Sequence, residues 1–81
     1  MSENRQRTIE VALGGKRYPV KTSLDEKTME RVLEVLKETF SQTPYRLSQE
    51  ERLLLTALHL SYDIVSLEKR LQKALKDTEG K

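Results

Sequence analysis

From Ser48 to about Lys76 the chain contains neither glycine nor proline, and a single apolar stripe runs along it. Leu53, Ala57, Leu60, Ile64, Leu67, Leu71 and Ala74 follow one another at spacings of 4-3-4-3-4-3. This is an unbroken heptad seam, with Leu53, Leu60, Leu67 and Ala74 at d and Ala57, Ile64 and Leu71 at a. Ser48-Gln49-Glu50-Glu51 has the spacing of a capping box, and Lys73 and Lys76 suit the C-terminal dipole. About 28 residues at ~1.5 Å each make a helix roughly 42 Å long. A domain this small cannot bury that length internally, so the seam predicts a homodimer with those seven residues as its interface. Leu54, Leu55, Leu58, Tyr62 and Val65 lie on other faces, which predicts burial of the first half on several sides. Beyond Glu68 only the seam and Leu75 remain apolar. Pairing direction stays open. Ile64 at a with Leu at d favours a parallel pair, but that register opposes Asp63 and Glu68, whereas an antiparallel one brings Asp63 toward Arg70. Such exposed pairs contribute only ~0.2–1 kcal/mol and do not decide it.

Size points the same way. With 81 residues, 36% hydrophobic and 35% charged, one domain is the ceiling, and it buries only roughly 60–65% of its unfolded surface. There is no cysteine for a disulfide and no spacing that suits a structural metal, so oligomerisation is the expected support. The longest fully apolar run, Leu53–Leu55, is far short of the ~20 residues of a membrane span. Ser2-Glu3-Asn4-Arg5-Gln6-Arg7 lacks the apolar core of a signal peptide, which makes a cytoplasmic protein the expectation. A net charge of +2 is too balanced for a dedicated nucleic-acid binder. The charge is uneven, however: residues 1–22 hold five basic and two acidic groups, residues 23–47 four and five, and residues 48–81 six of each.

The N-terminal half reads as a hairpin and a helix, so the fold class is α+β. Ile9, Val11 and Leu13 alternate with Thr8, Glu10 and Ala12, the period of a half-buried strand. Gly14-Gly15 suits a tight turn, and Lys16–Lys21 returns with Tyr18 and Val20 on one face. Pro19 cannot donate to a ladder, so this strand should be an edge or turn that backbone nitrogen outward. Ser23-Leu24-Asp25-Glu26 has capping-box spacing, followed by Met29, Val32, Leu33, Leu36 and Phe40 as one stripe. Pro44 ends that helix. The expected organisation is a disordered tail at 1–7, a hairpin-and-helix head at 8–47, a long dimerisation helix at 48–76 and a disordered tail at 77–81.

Thr8–Leu13, Gly14-Gly15 and Tyr18–Val20 resemble the hairpin that opens ZapA-family cell-division proteins. Thr43-Pro44-Tyr45-Arg46-Leu47 is similar to that family's inter-helix loop, and Leu53–Ile64 to the Leu-rich segment that starts its long helix. The resemblance covers roughly residues 8–75. It implies a non-enzymatic regulator at the division site, which binds polymerised FtsZ and bundles or aligns filaments as a dimer or tetramer. His59 stands where the family usually has Asn, and the C-terminal helix is shorter than in long members. Lys16 and Arg17 follow the glycine turn and Arg46 sits in the loop restrained by Pro44, which makes these three the candidate partner-binding residues. The resemblance implies that the head, rather than the coiled tail, faces the acidic FtsZ polymer.

Catalytic chemistry finds no support in these residues, and no cofactor is expected. His59 is the sole histidine and has neither cysteine nor a suitably spaced Ser and acid beside it. Gly14-Gly15 lacks the rest of a phosphate-binding motif. Tyr18, Tyr45 and Tyr62 are too scattered for a base-stacking platform. Two alternatives share the architecture: a small dimeric DNA binder that uses the basic hairpin, and a generic coiled-coil adaptor. The hairpin's apolar face is needed for a core, which weighs against the first.

Overall fold

The computed structural model describes residues 6–79 and consists of strands β1 (Arg7–Leu13) and β2 (Lys16–Thr22) and helices α1 (Glu26–Ser41) and α2 (Gln49–Glu79). Both turn glycines have positive φ, +56° at Gly14 and +82° at Gly15, as the type I′ turn of a twisted hairpin requires. The turn fixes the register. Leu13 pairs with Lys16, Val11 with Tyr18 and Ile9 with Val20. These are alternate, hydrogen-bonded pairs of the antiparallel ladder, so Glu10 and Pro19 form a non-hydrogen-bonded pair between them. The nitrogen of Pro19 therefore faces the outer edge, where no ladder bond is lost.

The start of α1 differs from expectation. Ser23 is not its cap. β2 continues to Thr22, opposite Arg7, and the bend that follows falls at Leu24, beyond Ser23. The Thr22 hydroxyl accepts from the Leu24 amide at 3.1 Å, and Arg7 Nη1 donates to the Leu24 carbonyl at 2.6 Å. Asp25 takes the capping role, with Oδ2 accepting from the Thr28 amide at 3.2 Å and Oδ1 from the Thr28 hydroxyl at 2.6 Å. The Thr28 hydroxyl, and after it the Thr28 amide, hold this carboxyl below its ordinary pKa. The cap's contribution is therefore complete above the unfolded-state value and is lost as pH falls through the lower folded one. The capping box of α2, by contrast, forms as read. Glu51 donates its amide to Ser48 Oγ, and Ser48 donates its amide to Glu51 Oε1, both at 3.1 Å. α2 runs to Glu79, past the expected end at Lys76, and Arg7 belongs to β1. Of the two expected tails, residues 1–5 and 80–81 lie outside the described residues.

The core is small. Val11, Leu13 and Phe40 are its buried apolar residues, flanked by half-buried Ile9, Tyr18, Val20, Leu33, Leu36 and Leu53. The Cα framework extends 52 × 45 × 15 Å, so it is thin in one direction and leaves no room for a third layer. Gly14 sits where three elements meet. A Cβ there would lie 2.6 Å from Gln49 Oε1 and 2.9 Å from two Phe40 ring atoms, whereas one on Gly15 would meet nothing within 4 Å. Gly15→Ala is expected to cost only the backbone strain of its positive φ, ~1–2 kcal/mol. Gly14→Ala adds displacement of Phe40 and should cost at least ~1 kcal/mol more. Urea midpoints at equal protein concentration check the order, and equal midpoints would contradict it.

Candidate functional site

Gln49, the first residue of α2, joins the hairpin to the inter-helix loop. Its Nε2 donates to the Leu13 carbonyl and to the Tyr18 hydroxyl, each at 3.0 Å. The hairpin turn is thereby held against the N-terminus of α2. Lys16, which pairs with Leu13, and Arg46, in the loop just before Gln49, come to the same end of the molecule. Both are exposed and form no ion pair among the described residues. Arg17 sits differently. It lies on the outward sheet face and meets Glu10 at 3.4 Å, an exposed pair that contributes little.

Behind this end lies a residue that sequence reasoning missed. Arg52 is 8% exposed, although it stands next to the leucine run of α2. Its Nε donates to Thr43 Oγ1 at 2.7 Å, and its Nη2 reaches the Phe40 carbonyl at 3.4 Å. The Thr43 hydroxyl in turn donates to the same carbonyl at 2.6 Å. The guanidinium carbon lies 4.1 Å from the centre of the Phe40 ring and 5.1 Å from that of Tyr45. α1 has no basic residue in its last turn, so Arg52 supplies from α2 the cation that the C-terminal dipole favours. Two aromatic rings and two oxygens replace much of the water that a buried guanidinium loses. The sequence signal was available in the absence of Lys or Arg from residues 38–41, but it names no donor.

The seam residues divide. Leu53 packs on its own chain's core, and half-buried Leu60 lines a shallow apolar groove with Val32, Val35 and Leu36 of α1. Ala57 and Ala74 are exposed, and Ile64, Leu67 and Leu71 are 58%, 60% and 64% exposed, uncovered by any element of the chain. Leu54, Leu58, Tyr62 and Val65 are also exposed, so the single chain does not supply the burial on several sides that the sequence predicts. The reason is geometric: sixteen residues of α1 and a hairpin cover only one side of the first turns of a 31-residue helix. A second apolar cleft, lined by Val20, Met29, Val32, Leu36 and Leu53, opens between the hairpin and the helices. His59 is exposed and lines a polar groove with Asp63, Arg31 and Glu38. No group of metal-ligating side chains occurs among the described residues, and no helix among them is long and apolar enough to cross a membrane.

A hairpin on a two-helix head, from which one helix projects with an uncovered heptad seam, defines a small α+β protein with coiled-coil character. The family model described as Cell division protein ZapA matches residues 9–80, and the chain belongs to that family. This is a family of non-enzymatic cell-division proteins associated with the FtsZ ring. Neither the curated proteins nor the solved structures compared with the chain gave a match.

Arg52→Ala removes the ring contacts and leaves the buried Thr43 hydroxyl oxygen short of a donor, while the Phe40 carbonyl keeps its bonds from Thr43, at a cost of roughly 2–3 kcal/mol. Arg52→Lys keeps the charge but not the planar fork and should restore less than half of that. Thermal unfolding followed by circular dichroism at one protein concentration checks both, and a loss below ~0.5 kcal/mol for Arg52→Ala would refute the junction's importance.

Proposed function

We propose that this protein binds FtsZ polymers in the cytoplasm at the division site and cross-links them as a homodimer, without catalysing a reaction. The observation that carries this reading is the uncovered seam of Ile64, Leu67 and Leu71 on a helix that projects from a head of the ZapA family. Burying those three side chains would contribute roughly 1.5–3 kcal/mol each, a gain that one chain cannot reach alone. A second copy of α2 supplies the matching surface, with Ala57, Leu60 and Ala74 completing the seam and Leu53 contributing only its exposed portion. Each dimer then carries two equivalent heads, and engagement of both raises the effective concentration of the second contact. The head surface assigned to FtsZ is the end where Lys16 and Arg46 meet, with Arg17 as a weaker contributor because Glu10 already engages it. Steering by these cations should weaken as salt rises. The DNA-binding alternative loses ground, since the inward hairpin face is packed on the core and the outward face carries Glu10 against Arg17.

Ile64→Glu places a carboxylate in the apolar seam and should give a monomer. With FtsZ polymer, that variant is expected to retain weak binding at high-speed pelleting and to lose the bundles that sediment at low speed. Low-speed pelleting by a verified monomer at the wild-type level would reject cross-linking as the mechanism.

A further inference from the structure

The loop between α1 and α2 is a fixed turn. The Leu47 amide donates to the Pro44 carbonyl at 3.3 Å, which places Tyr45 and Arg46 at the two tip positions of a β-turn. Its leading end is held by Thr43, 4% exposed and bonded to both Arg52 and the Phe40 carbonyl. Its trailing end is held by the reciprocal bonds of Ser48 and Glu51. Pro44 further narrows the backbone freedom between these anchors. On this rigid support Tyr45 is 83% exposed, more than any other large apolar or aromatic side chain among the described residues.

The chain's own packing uses this ring only at its side toward Arg52 and leaves most of it in solvent. The Arg52 guanidinium 5.1 Å from the ring centre gives it a lateral support that does not cover it. A tyrosine on a fixed turn brings large contact area with only two side-chain torsions to immobilise, which is why such residues dominate binding energy at interfaces. Its neighbours set the partner's chemistry. Arg46 is beside it, and Lys16 lies across Gln49 at the same end, both without an ion pair among the described residues. We propose that Tyr45 is the anchor of the partner-docking surface, seated in an apolar recess rimmed by carboxylates on an acidic protein polymer. This assignment rests on the FtsZ reading above for the identity of that polymer.

The test is co-pelleting of wild type, Tyr45→Ala and Tyr45→Phe with cognate FtsZ polymer at low salt, over a concentration series that yields Kd. Thermal midpoints are measured in parallel. Tyr45→Ala should raise Kd by at least ~10-fold, with its midpoint lowered by no more than about 6 °C for the lost Arg52 contact. Tyr45→Phe, which keeps the ring, should stay within about threefold of wild type. Binding by wild type with no loss in Tyr45→Ala overturns this inference and leaves the FtsZ reading standing. An equal loss in Tyr45→Phe also overturns it, because the ring would then not be the anchor. Failure of wild type to co-pellet removes the FtsZ reading and this inference together.

Discussion

The helix α2 is longer than anything the rest of the chain can cover, and the architecture follows from that mismatch. α1 spans 16 residues, about 24 Å at ~1.5 Å per residue, against about 46 Å for the 31 residues of α2. Packing between them involves the first turns of α2, where Arg52 and Thr56 are buried and Leu53 and Leu60 half-buried. Past Ser66 every described side chain on α2 is exposed. A polar helix could project in this way alone; one that carries Leu67 and Leu71 in register with Ile64 displays an uncovered apolar stripe, the basis of the dimer proposed above.

The point at which α2 is held is equally specific. Arg52 meets the C-terminus of α1, the Phe40 ring and Thr43 at once, so one side chain ties together the end of one helix, the loop and the start of the next. Gln49, one turn earlier, ties in the hairpin through Leu13 and Tyr18. Within a four-residue span of α2, two polar side chains join all the other elements. The apolar core alone, three buried residues, would leave their relative placement poorly specified. Fixing them brings Lys16, Tyr45 and Arg46 to one end, opposite the projecting part of α2.

Features set by local pattern were legible in the residues. Alternation at Ile9–Leu13, the Gly14-Gly15 turn, the outward nitrogen of Pro19 and the Ser48–Glu51 box depend on near neighbours, and each forms as read. Features set by the meeting of distant elements were not. Arg52 looks like one more charge on a helix until α1 is seen to end above it. Ser23 has the better capping spacing with Glu26, yet Asp25 caps, because pairing of Thr22 with Arg7 keeps the chain extended too long for Ser23. The heptad pattern assigns Leu53 to the same seam as Leu67, but only the fold shows that the former packs on its own head. Of the candidate partner-binding residues, Arg17 has its Glu10 contact across the strands, which linear reading does not reveal.

The most direct test of self-association through the seam is sedimentation equilibrium of the wild-type protein from about 1 to 100 μM at moderate salt. The mass expected is twice the 9.4 kDa of one chain or a higher even multiple, falling toward the single-chain value only on dilution. A mass that stays at 9.4 kDa across the range, with α2 still helical by circular dichroism, would contradict the account.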